Sequence, residues 1–241
     1  MNWFKAQFRA LGASDLPLTV TLKGAPYLLE KVFKHNWPTA VGLYRHGEDL
    51  VVCKFHRRAR FFGLPLAWLG NLMAAYEAAV MRQVQDLPGV PRLRGLVHET
   101  GLARDFIPGK PLTKRMRVDD KFFPQFFELL GGIHGRGIAY VDLEKPENVL
   151  LGDDGRPYLI DFQIALYWPR RYLGETVLAR FLRRQLQRSD LYHAMKHLRK
   201  MRPDLLTPEQ IKKSRERPLV VRIGNILITP YMAFRKLLLR S

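Results

Sequence analysis

The stretch GIAYVDLEKPENVLLGDDGRPYLIDFQIAL, residues 137–166, decides the fold, because it places Asp142, Asn148 and Asp161 beside short apolar runs. The runs VLL and PYLIDF are separated by Gly152-Asp-Asp-Gly-Arg-Pro, which is typical of a hairpin turn. A hairpin would bring Asn148 and Asp161 to one rim of the fold. Mg²⁺ takes oxygen ligands, usually one or two protein groups together with substrate phosphate oxygens. We therefore expect Asn148 and Asp161 to bind a metal that carries phosphate.

Two further residues of this stretch fit a reaction on that phosphate. Phosphoryl transfer needs metal ligands, a cation near the phosphates and a carboxylate near the attacking hydroxyl, with little covalent chemistry from the protein. Lys145 supplies the predicted cation, and Asp142 supplies the predicted carboxylate. The stretch is thus interpreted as a catalytic segment.

The same residues resemble the protein-kinase superfamily. VDLEKPENVLL (141–151) is similar to the catalytic loop HRDxxxxN, and the segment IDF that contains Asp161 is similar to the metal-binding DFG motif. This resemblance implies that the chain binds ATP and Mg²⁺, with Asn148 and Asp161 as metal ligands. It also implies that Asp142 orients and deprotonates the acceptor hydroxyl and that Lys145 stabilises the transferred phosphoryl group.

The resemblance extends upstream and spans roughly residues 27 to 168. VVCKF resembles the strand whose lysine binds the α- and β-phosphates, which points to Lys54. Glu77, in the following helix, is the implied partner of the Lys54 ammonium group. ARDFIPGKPL resembles the linker that hydrogen-bonds adenine through its backbone, with Asp105 and Ile107 at the contact positions.

The implied architecture is an α+β, two-lobed protein-kinase-like fold. Residues 1–103 form a β-rich N-lobe with one helix, 104–111 a hinge, and 112–241 a reduced helical C-lobe. The pattern of apolar residues agrees with this architecture. Strands are predicted for the runs YLLEKVF, AVGLY, DLVVCKF, LRGLVHE and GLARDFI. Helices are predicted, from helical spacing, for residues 66–84 and for FFPQFFELLGGIHGRGI. Basic helices are expected after Trp168.

Several departures from the family pattern stand out. HNWPTAVG replaces a GxGxxG loop, Tyr140-Val141 replaces His-Arg, and Gln163 replaces the glycine of DFG. Asp142 lies one residue further from Asn148 than the motif requires. There is also no APE-like motif, so ordinary protein substrates are not favoured.

Compact kinase-like chains without APE resemble two groups, the RIO-type atypical kinases and the bacterial lipopolysaccharide kinases. FIPGKPL, a short helix and a VDLEKPEN-type loop favour the second group, which implies a lipopolysaccharide core sugar as acceptor. A RIO-like serine/threonine kinase is the first alternative. A nucleotide-binding pseudokinase scaffold is the second; the extra residue after Asp142 motivates it, and retention of the lysine and metal positions argues against it.

Charge sets the expected partners. The chain has 40 Lys and Arg against 22 Asp and Glu, a formal net charge of +18 that attracts polyanions. An acidic glycolipid or a protein acceptor is expected, with peripheral contact to an anionic membrane surface. The segment PLVVRIGNILITPYMAFRKLLLR (218–240) either lies in that interface or packs on the C-lobe. A nucleic-acid binder ranks last, because few aromatic residues accompany the basic runs.

The remaining singular residues receive structural interpretations. A single cysteine, Cys53, excludes an intrachain disulfide and indicates a reducing compartment. We therefore expect a cytoplasmic protein, peripheral at the inner membrane. Cys53 itself is interpreted as an inert packing residue. His134 is interpreted as a packed core histidine. His193 and His197 share a helix face and are expected to be a surface pair, because no nearby carboxylate completes a metal site.

Overall fold

The computed structural model describes residues 6–113, 116–167 and 176–216, together with Pro218. The chain divides into two compact units, Met1–Gly109 with Leu159–Gln163 (unit 1) and Lys110–Tyr158 with Ile164–Ser241 (unit 2). The first boundary lies inside the expected hinge 104–111. Residues 159–163 join unit 1, where the Leu159 N–H donates to the Gly89 carbonyl oxygen at 2.9 Å.

Unit 1 contains a six-stranded antiparallel sheet of order β1-β2-β3-β4-β6-β5. Its strands are β1 (Thr19–Leu22), β2 (Ala25–His35), β3 (Thr39–His46), β4 (Asp49–His56), β5 (Leu93–Val97) and β6 (Gly101–Asp105). Lys23 and Gly24, with φ of 49° and 84°, form the two-residue connection between β1 and β2. Positive φ at both positions matches the strand twist, which explains the tight hairpin.

Helix α1 (Ala67–Val84) follows the fourth strand and turns one face to the interior. The buried positions are Gly70, Ala74, Glu77, Ala78, Val80, Met81 and Val84. Glu77 is the one charged residue among them. At Gly70 a Cβ atom would lie 2.1 Å from the Arg57 carbonyl oxygen, so only glycine permits this approach of the helix to the backbone after β4.

The other face of the sheet in unit 1 packs into an apolar cluster that includes Val20, Tyr44, Cys53 and Phe55. Burial raises the pKa of the Cys53 thiol to about 12, so the thiol stays protonated at neutral pH. Cys53 is therefore a packing residue, as expected from its apolar strand.

Unit 2 is built mainly from helices and very short strands. The helices are α2 (Phe122–Gly135), α3 (Val177–Met201) and α4 (Pro208–Lys213), with 3₁₀ turns at Pro146–Asn148 and Pro203–Leu205. The strands are β7 (Gly109–Pro111), β8 (Ile138–Ala139), β9 (Val149–Gly152), β10 (Pro157–Leu159) and β11 (Leu166–Tyr167). They pair as a sheet of order β10-β9-β7 and a two-stranded β11-β8 sheet.

Helix α2 supplies the aromatic core of unit 2. Phe122, Phe123 and Phe126 are fully buried, and the Phe122 and Phe123 ring centroids lie 5.3 Å apart in an edge-to-face arrangement. Helix α3 begins at the N-cap Thr176, whose side chain accepts from the Ala179 N–H. A capping box at Thr207 and Gln210 opens α4.

Strands β2 to β6, the neighbouring strands β9 and β10, and helices α1 and α2 confirm the sequence prediction. Strands β1, β7, β8 and β11 were not anticipated. Within the described residues, no helix is both long and apolar enough to cross a lipid bilayer. Apart from Pro218, the segment 218–240 lies outside the described residues, so neither expectation for it is addressed.

Candidate active site

Unit 1 holds a buried cluster of charged side chains, the lysine cluster, formed by Lys54, His56, Glu77 and Asp161. Lys54 Nζ donates to Glu77 Oε1 at 2.9 Å and to Asp161 Oδ1 at 2.7 Å. His56 Nε2 lies 3.0 Å from Glu77 Oε2. The structure therefore shows the predicted pairing of Lys54 with Glu77, and it adds Asp161 and a histidine to that pair.

Secondary structure explains why these groups meet. Lys54 and His56 are two positions apart on β4 and so point to the same face of the sheet. Glu77 lies on the buried stripe of α1, and Asp161 follows strand β10. A strand, a helix and a strand end thus converge on one ammonium group.

Burial and charge act against each other in this cluster. Burial acts to lower the pKa of Lys54, but the Glu77 and Asp161 carboxylates outweigh it and leave the pKa above its ordinary value. Burial acts to raise the pKa of Glu77, yet Lys54 and the adjacent His56 ring leave it below its ordinary value. All three charged groups therefore remain ionised at neutral pH.

Asp161 is the second carboxyl of the cluster. Burial acts to raise its pKa, but Lys54 overcomes this effect and lowers the pKa to about 2. The Gln163 N–H also donates to Asp161 Oδ1, at 3.3 Å. Gln163, which replaces the glycine of DFG, therefore supports the carboxylate through its backbone.

Asp105 and Ile107, the predicted adenine contacts, lie at the end of β6 and just beyond it. The Asp105 N–H donates to the Arg92 carbonyl oxygen at 2.9 Å, and its carboxylate lies 3.5 Å from Arg94. An adenine contact at Asp105 would therefore have to use its carbonyl oxygen. Ile107 is partly exposed.

Unit 2 carries the second group of predicted residues in the segment 142–148, which we call the catalytic loop after the role that the sequence predicts for it. Lys145 Nζ donates to Asp142 Oδ2 at 2.8 Å, and Asn148 Nδ2 donates to the same oxygen at 2.9 Å. Asn148 Nδ2 also reaches the Asp142 carbonyl oxygen at 3.0 Å. The extra residue between Asp142 and Asn148 does not separate them, because the 3₁₀ turn Pro146–Asn148 brings the amide back.

These bonds determine which atoms remain for a ligand. The amide nitrogen of Asn148 is committed to Asp142, so Oδ1 is the atom with which Asn148 would bind a cation. Within the described residues, Asp142 Oδ1 accepts no hydrogen bond. One carboxylate oxygen of Asp142 is thus held by the loop, and the other is available to an acceptor hydroxyl.

Helix α3 holds the catalytic loop through its backbone. Asp190 is fully buried, and its two carboxylate oxygens accept from the Tyr140 and Val141 N–H groups, each at 2.8 Å. Gln187 Nε2 donates to the His134 and Ile138 carbonyl oxygens at 3.0 and 3.1 Å. These contacts fix the chain just before Asp142.

Sequence reasoning missed Asp190. Its signal was present, because Asp190 is the only acid in the 25 residues of α3, which otherwise carries many Arg and Lys. A lone carboxylate in a basic helix is costly to bury unless it accepts hydrogen bonds. His134, expected as a packed core histidine, also contacts it, with Nε2 3.0 Å from Asp190 Oδ2.

Val141 adopts φ of 70°, which is unusual for a β-branched residue. Such a conformation costs about 1–3 kcal/mol and persists only where surrounding contacts impose it. Here the Asp190 carboxylate accepts a hydrogen bond from the Val141 N–H, and this contact holds Val141 in the unusual conformation. Because that contact uses the backbone, replacement of His-Arg by Tyr140-Val141 leaves the anchor intact.

The expectation that His193 and His197 form a surface pair is wrong. Each is only 6% exposed, because this face of α3 is buried within unit 2. Burial lowers the pKa of His193 to about 4 and also lowers the pKa of His197. The neutral His197 donates from Nε2 to the Leu143 carbonyl oxygen at 2.7 Å, which adds another anchor to the catalytic loop.

Comparison with known proteins gives partial matches. No family model matches the chain. A probable cAMP-dependent protein kinase catalytic subunit of Encephalitozoon cuniculi is 32% identical over 102 residues, covering 38% of this chain and 31% of that protein. CBL-interacting protein kinase 16 of Oryza sativa subsp. japonica is 47% identical over 45 residues, 19% of this chain and 10% of that protein.

Two crystal structures of the Rio2 kinase from Chaetomium thermophilum are similar in fold. The ADP/Mg²⁺-phosphoaspartate complex gives a TM-score of 0.56 at 14% identity, covering 76% of this chain and 61% of the Rio2 chain. The other structure gives 0.53 at 14% identity, with 77% and 63% covered. The chain therefore spans less than two thirds of each of these proteins. The likeness confirms the expected α+β, protein-kinase-like fold.

Proposed function

From this protein-kinase-like fold, we propose that the chain is an ATP- and Mg²⁺-dependent phosphotransferase that acts on a hydroxyl acceptor. The observation that carries the proposal is the Lys54 ammonium group held between Glu77 and Asp161 in a buried cluster. Burying a lysine and two carboxylates is costly unless each group has a partner. A positive charge fixed beside a potential metal ligand is the arrangement that binding of a nucleoside triphosphate with its metal ion requires.

In this proposal, each residue of the site has a separate role in phosphoryl transfer. Lys54 binds the α- and β-phosphates, Asp161 and Asn148 Oδ1 supply oxygen ligands, and Asp105 and Ile107 face adenine. Bound Mg²⁺ would neutralise charge on the phosphates. Asp142 Oδ1 orients the acceptor hydroxyl and takes its proton, while Lys145 stabilises the transferred phosphoryl group. For that role Lys145 exchanges its partner Asp142 for the phosphate, which its exposed position allows.

The direct test compares Asp142→Asn with the unchanged protein, using ATP labelled at the γ-phosphate. We expect transfer to fall by about 100-fold or more, because a positioned base contributes about 10²–10⁴-fold. Affinity for a fluorescent ATP analogue should change little, since Asp142 does not bind nucleotide. Transfer that persists in Asp142→Asn would contradict the assignment, and ATP binding without any transfer by the unchanged protein would favour the pseudokinase scaffold.

For the acceptor, we propose a lipopolysaccharide core sugar, an acidic glycolipid. A cavity of about 240 Å³ lies beside the catalytic loop, lined by Glu144, Pro146, Lys196, His197, Lys200 and Met201. Lys196 and Lys200 are one helical turn apart on α3, so both can face a negatively charged substituent. Two lysines next to a catalytic loop support an anionic acceptor over a neutral one.

A RIO-like serine/threonine kinase is the second candidate, favoured by the fold likeness to the Rio2 kinase. That Rio2 structure holds a phosphoaspartate. Two protein products are therefore considered for this chain, a phosphorylated serine on a substrate protein and a phosphorylated aspartate on the chain itself. Purified lipopolysaccharide and dephosphorylated casein, offered separately, distinguish the acceptors. Hydroxylamine releases label from an acyl phosphate and leaves a serine phosphate intact, so it distinguishes the two protein products.

Peripheral contact with an anionic inner-membrane surface accompanies the glycolipid proposal. At the start of α3, Val177, Leu178 and Phe181 are more than half exposed, and Arg180 and Arg184 lie on the same turns. Apolar side chains next to arginine suit a lipid interface with acidic headgroups. Co-sedimentation with vesicles that contain phosphatidylglycerol, compared with neutral vesicles, tests this contact.

A further inference from the structure

His56 is a buried titratable residue that the proposed mechanism does not use. Its side chain is fully buried at the end of β4. The backbone around it is fixed from both sides, because its N–H donates to the Thr100 carbonyl oxygen at 2.8 Å and Thr100 Oγ1 donates to the His56 carbonyl oxygen at 3.0 Å. The ring therefore has a defined position from which to act.

The ring faces the carboxylate that holds the catalytic lysine. His56 Nε2 lies 3.0 Å from Glu77 Oε2, the oxygen that also lies 2.8 Å from Lys54 Nζ. Glu77 Oε1 accepts separately from Lys54 at 2.9 Å. The Glu77 carboxylate is thus held between an ammonium group and an imidazole.

The need for a second nitrogen follows from the charge balance. Lys54 serves two carboxylates, Glu77 and Asp161, with one positive charge. Glu77 is 3% exposed, so water does not supply the missing interaction. A buried carboxylate that shares one ammonium group with a second carboxylate gains from a further donor.

We propose that His56 is a positioning residue that acts through Glu77, holding the carboxylate so that Lys54 Nζ stays where it meets the phosphates of ATP. The proposal rests on the proposed function for the role of Lys54. It requires no contact between His56 and nucleotide. Its effect is expected on the geometry of the lysine cluster rather than on the chemistry at Asp142.

The test uses His56→Leu, which removes the donor, and His56→Gln, whose amide nitrogen can take the place of Nε2. We expect KM for ATP to rise about 10-fold in His56→Leu with a smaller change in kcat, and to return most of the way in His56→Gln. In a Glu77→Gln background, His56→Leu should add less than about 2-fold, because the path through Glu77 is already broken.

Cys53→Ala is the matched control, since Cys53 is buried in the same strand and packs on the opposite face of the sheet. It should lower the melting temperature slightly and leave KM for ATP unchanged. The inference is overturned if His56→Leu changes KM no more than Cys53→Ala does, or if its effect is equally large in the Glu77→Gln background.

A second readout does not depend on activity. Acetic anhydride labelling followed by mass spectrometry reports how tightly Lys54 is held, with the exposed Lys212 as internal reference. We expect Lys54 to react about 10-fold faster in His56→Leu and at nearly the original rate in His56→Gln. If the protein neither binds nor transfers from ATP, the proposed function fails, while unchanged labelling of Lys54 overturns the role of His56.

Discussion

The lysine cluster and the catalytic loop reach a defined geometry by opposite means. In the lysine cluster, side chains of opposite charge hold one another in a buried setting, so each residue identity matters. In and just before the catalytic loop, α3 bonds to backbone N–H and carbonyl groups, while the Lys145 side chain stays exposed. These contacts before and within the loop use backbone atoms, so they do not depend on the identity of Tyr140 or Val141, whereas the contacts of Lys54, Glu77 and Asp161 depend on their side chains.

The largest expected effect comes from removing the backbone anchor of the loop. Asp190→Ala leaves the Tyr140 and Val141 N–H groups without their acceptor in a buried site. We expect a loss of about 4 kcal/mol in the free energy of unfolding, since each buried group without a partner costs about 1–3 kcal/mol. Urea unfolding measures this loss. The control is Asp204→Ala, which removes the next acidic residue along the chain, an exposed one, and should change stability by less than about 1 kcal/mol. A loss as large as that of Asp190→Ala would contradict the anchoring role of Asp190.

Breaking the lysine cluster should have the next largest effect. Lys54→Met removes the ammonium group that Glu77 and Asp161 share, and we expect a loss of about 3 kcal/mol together with loss of ATP binding. Adding Glu77→Gln should restore part of the stability but not ATP binding, because it removes one of the uncompensated charges. A double variant less stable than Lys54→Met would show that charge balance does not hold this cluster. Calorimetric unfolding and nucleotide titration provide the two measurements.

The stability of the two regions should depend on pH in different ranges. The pKa of His193 is about 4 against an ordinary 6.5, so the unfolded chain binds the proton first. Stability from this residue is complete above pH 6.5 and is lost as pH falls toward 4, by about 3 kcal/mol. Asp161, with a pKa of about 2 against 3.8, loses its contribution of about 2 kcal/mol only below pH 3.8.

Unfolding measured by hydrogen exchange across this pH range should therefore show unit 2 weakening before unit 1. His193→Leu should weaken the dependence between pH 6.5 and 4, with the remainder coming from His197, whose pKa burial also lowers, and it should leave the more acidic limb unchanged. An undiminished dependence in His193→Leu would contradict the contribution assigned to His193.

The smallest effect is expected at Val141, whose φ of 70° suits glycine. Val141→Gly relieves the backbone strain but adds freedom to the unfolded chain, so stability should change by no more than about 1 kcal/mol in either direction. Phosphotransfer should stay within about 3-fold of the original, because Asp190 still accepts the residue 141 N–H. A large loss in this variant would mean that the Val141 side chain, and not only its backbone, holds the loop.

Strands β2 to β6 could be predicted because their alternating apolar runs are bounded by turn residues, which are local signals. Strands β8 and β11 could not, since each has two residues and exists only by pairing with the other. The burial of His193 and His197 was likewise hidden, because periodicity indicates that they share a face of α3 but not what covers that face.

By itself, the sequence determined the residue types and the order of Lys54, Glu77, Asp142, Asn148 and Asp161, and with them the kinase-like fold. The tertiary structure alone decided that His56 contacts Glu77 and that Asp190 holds the backbone before Asp142. The physical reason is that motifs are read from side-chain identity along the chain. Contacts to backbone groups, and hydrogen bonds between residues distant in sequence, leave no local pattern.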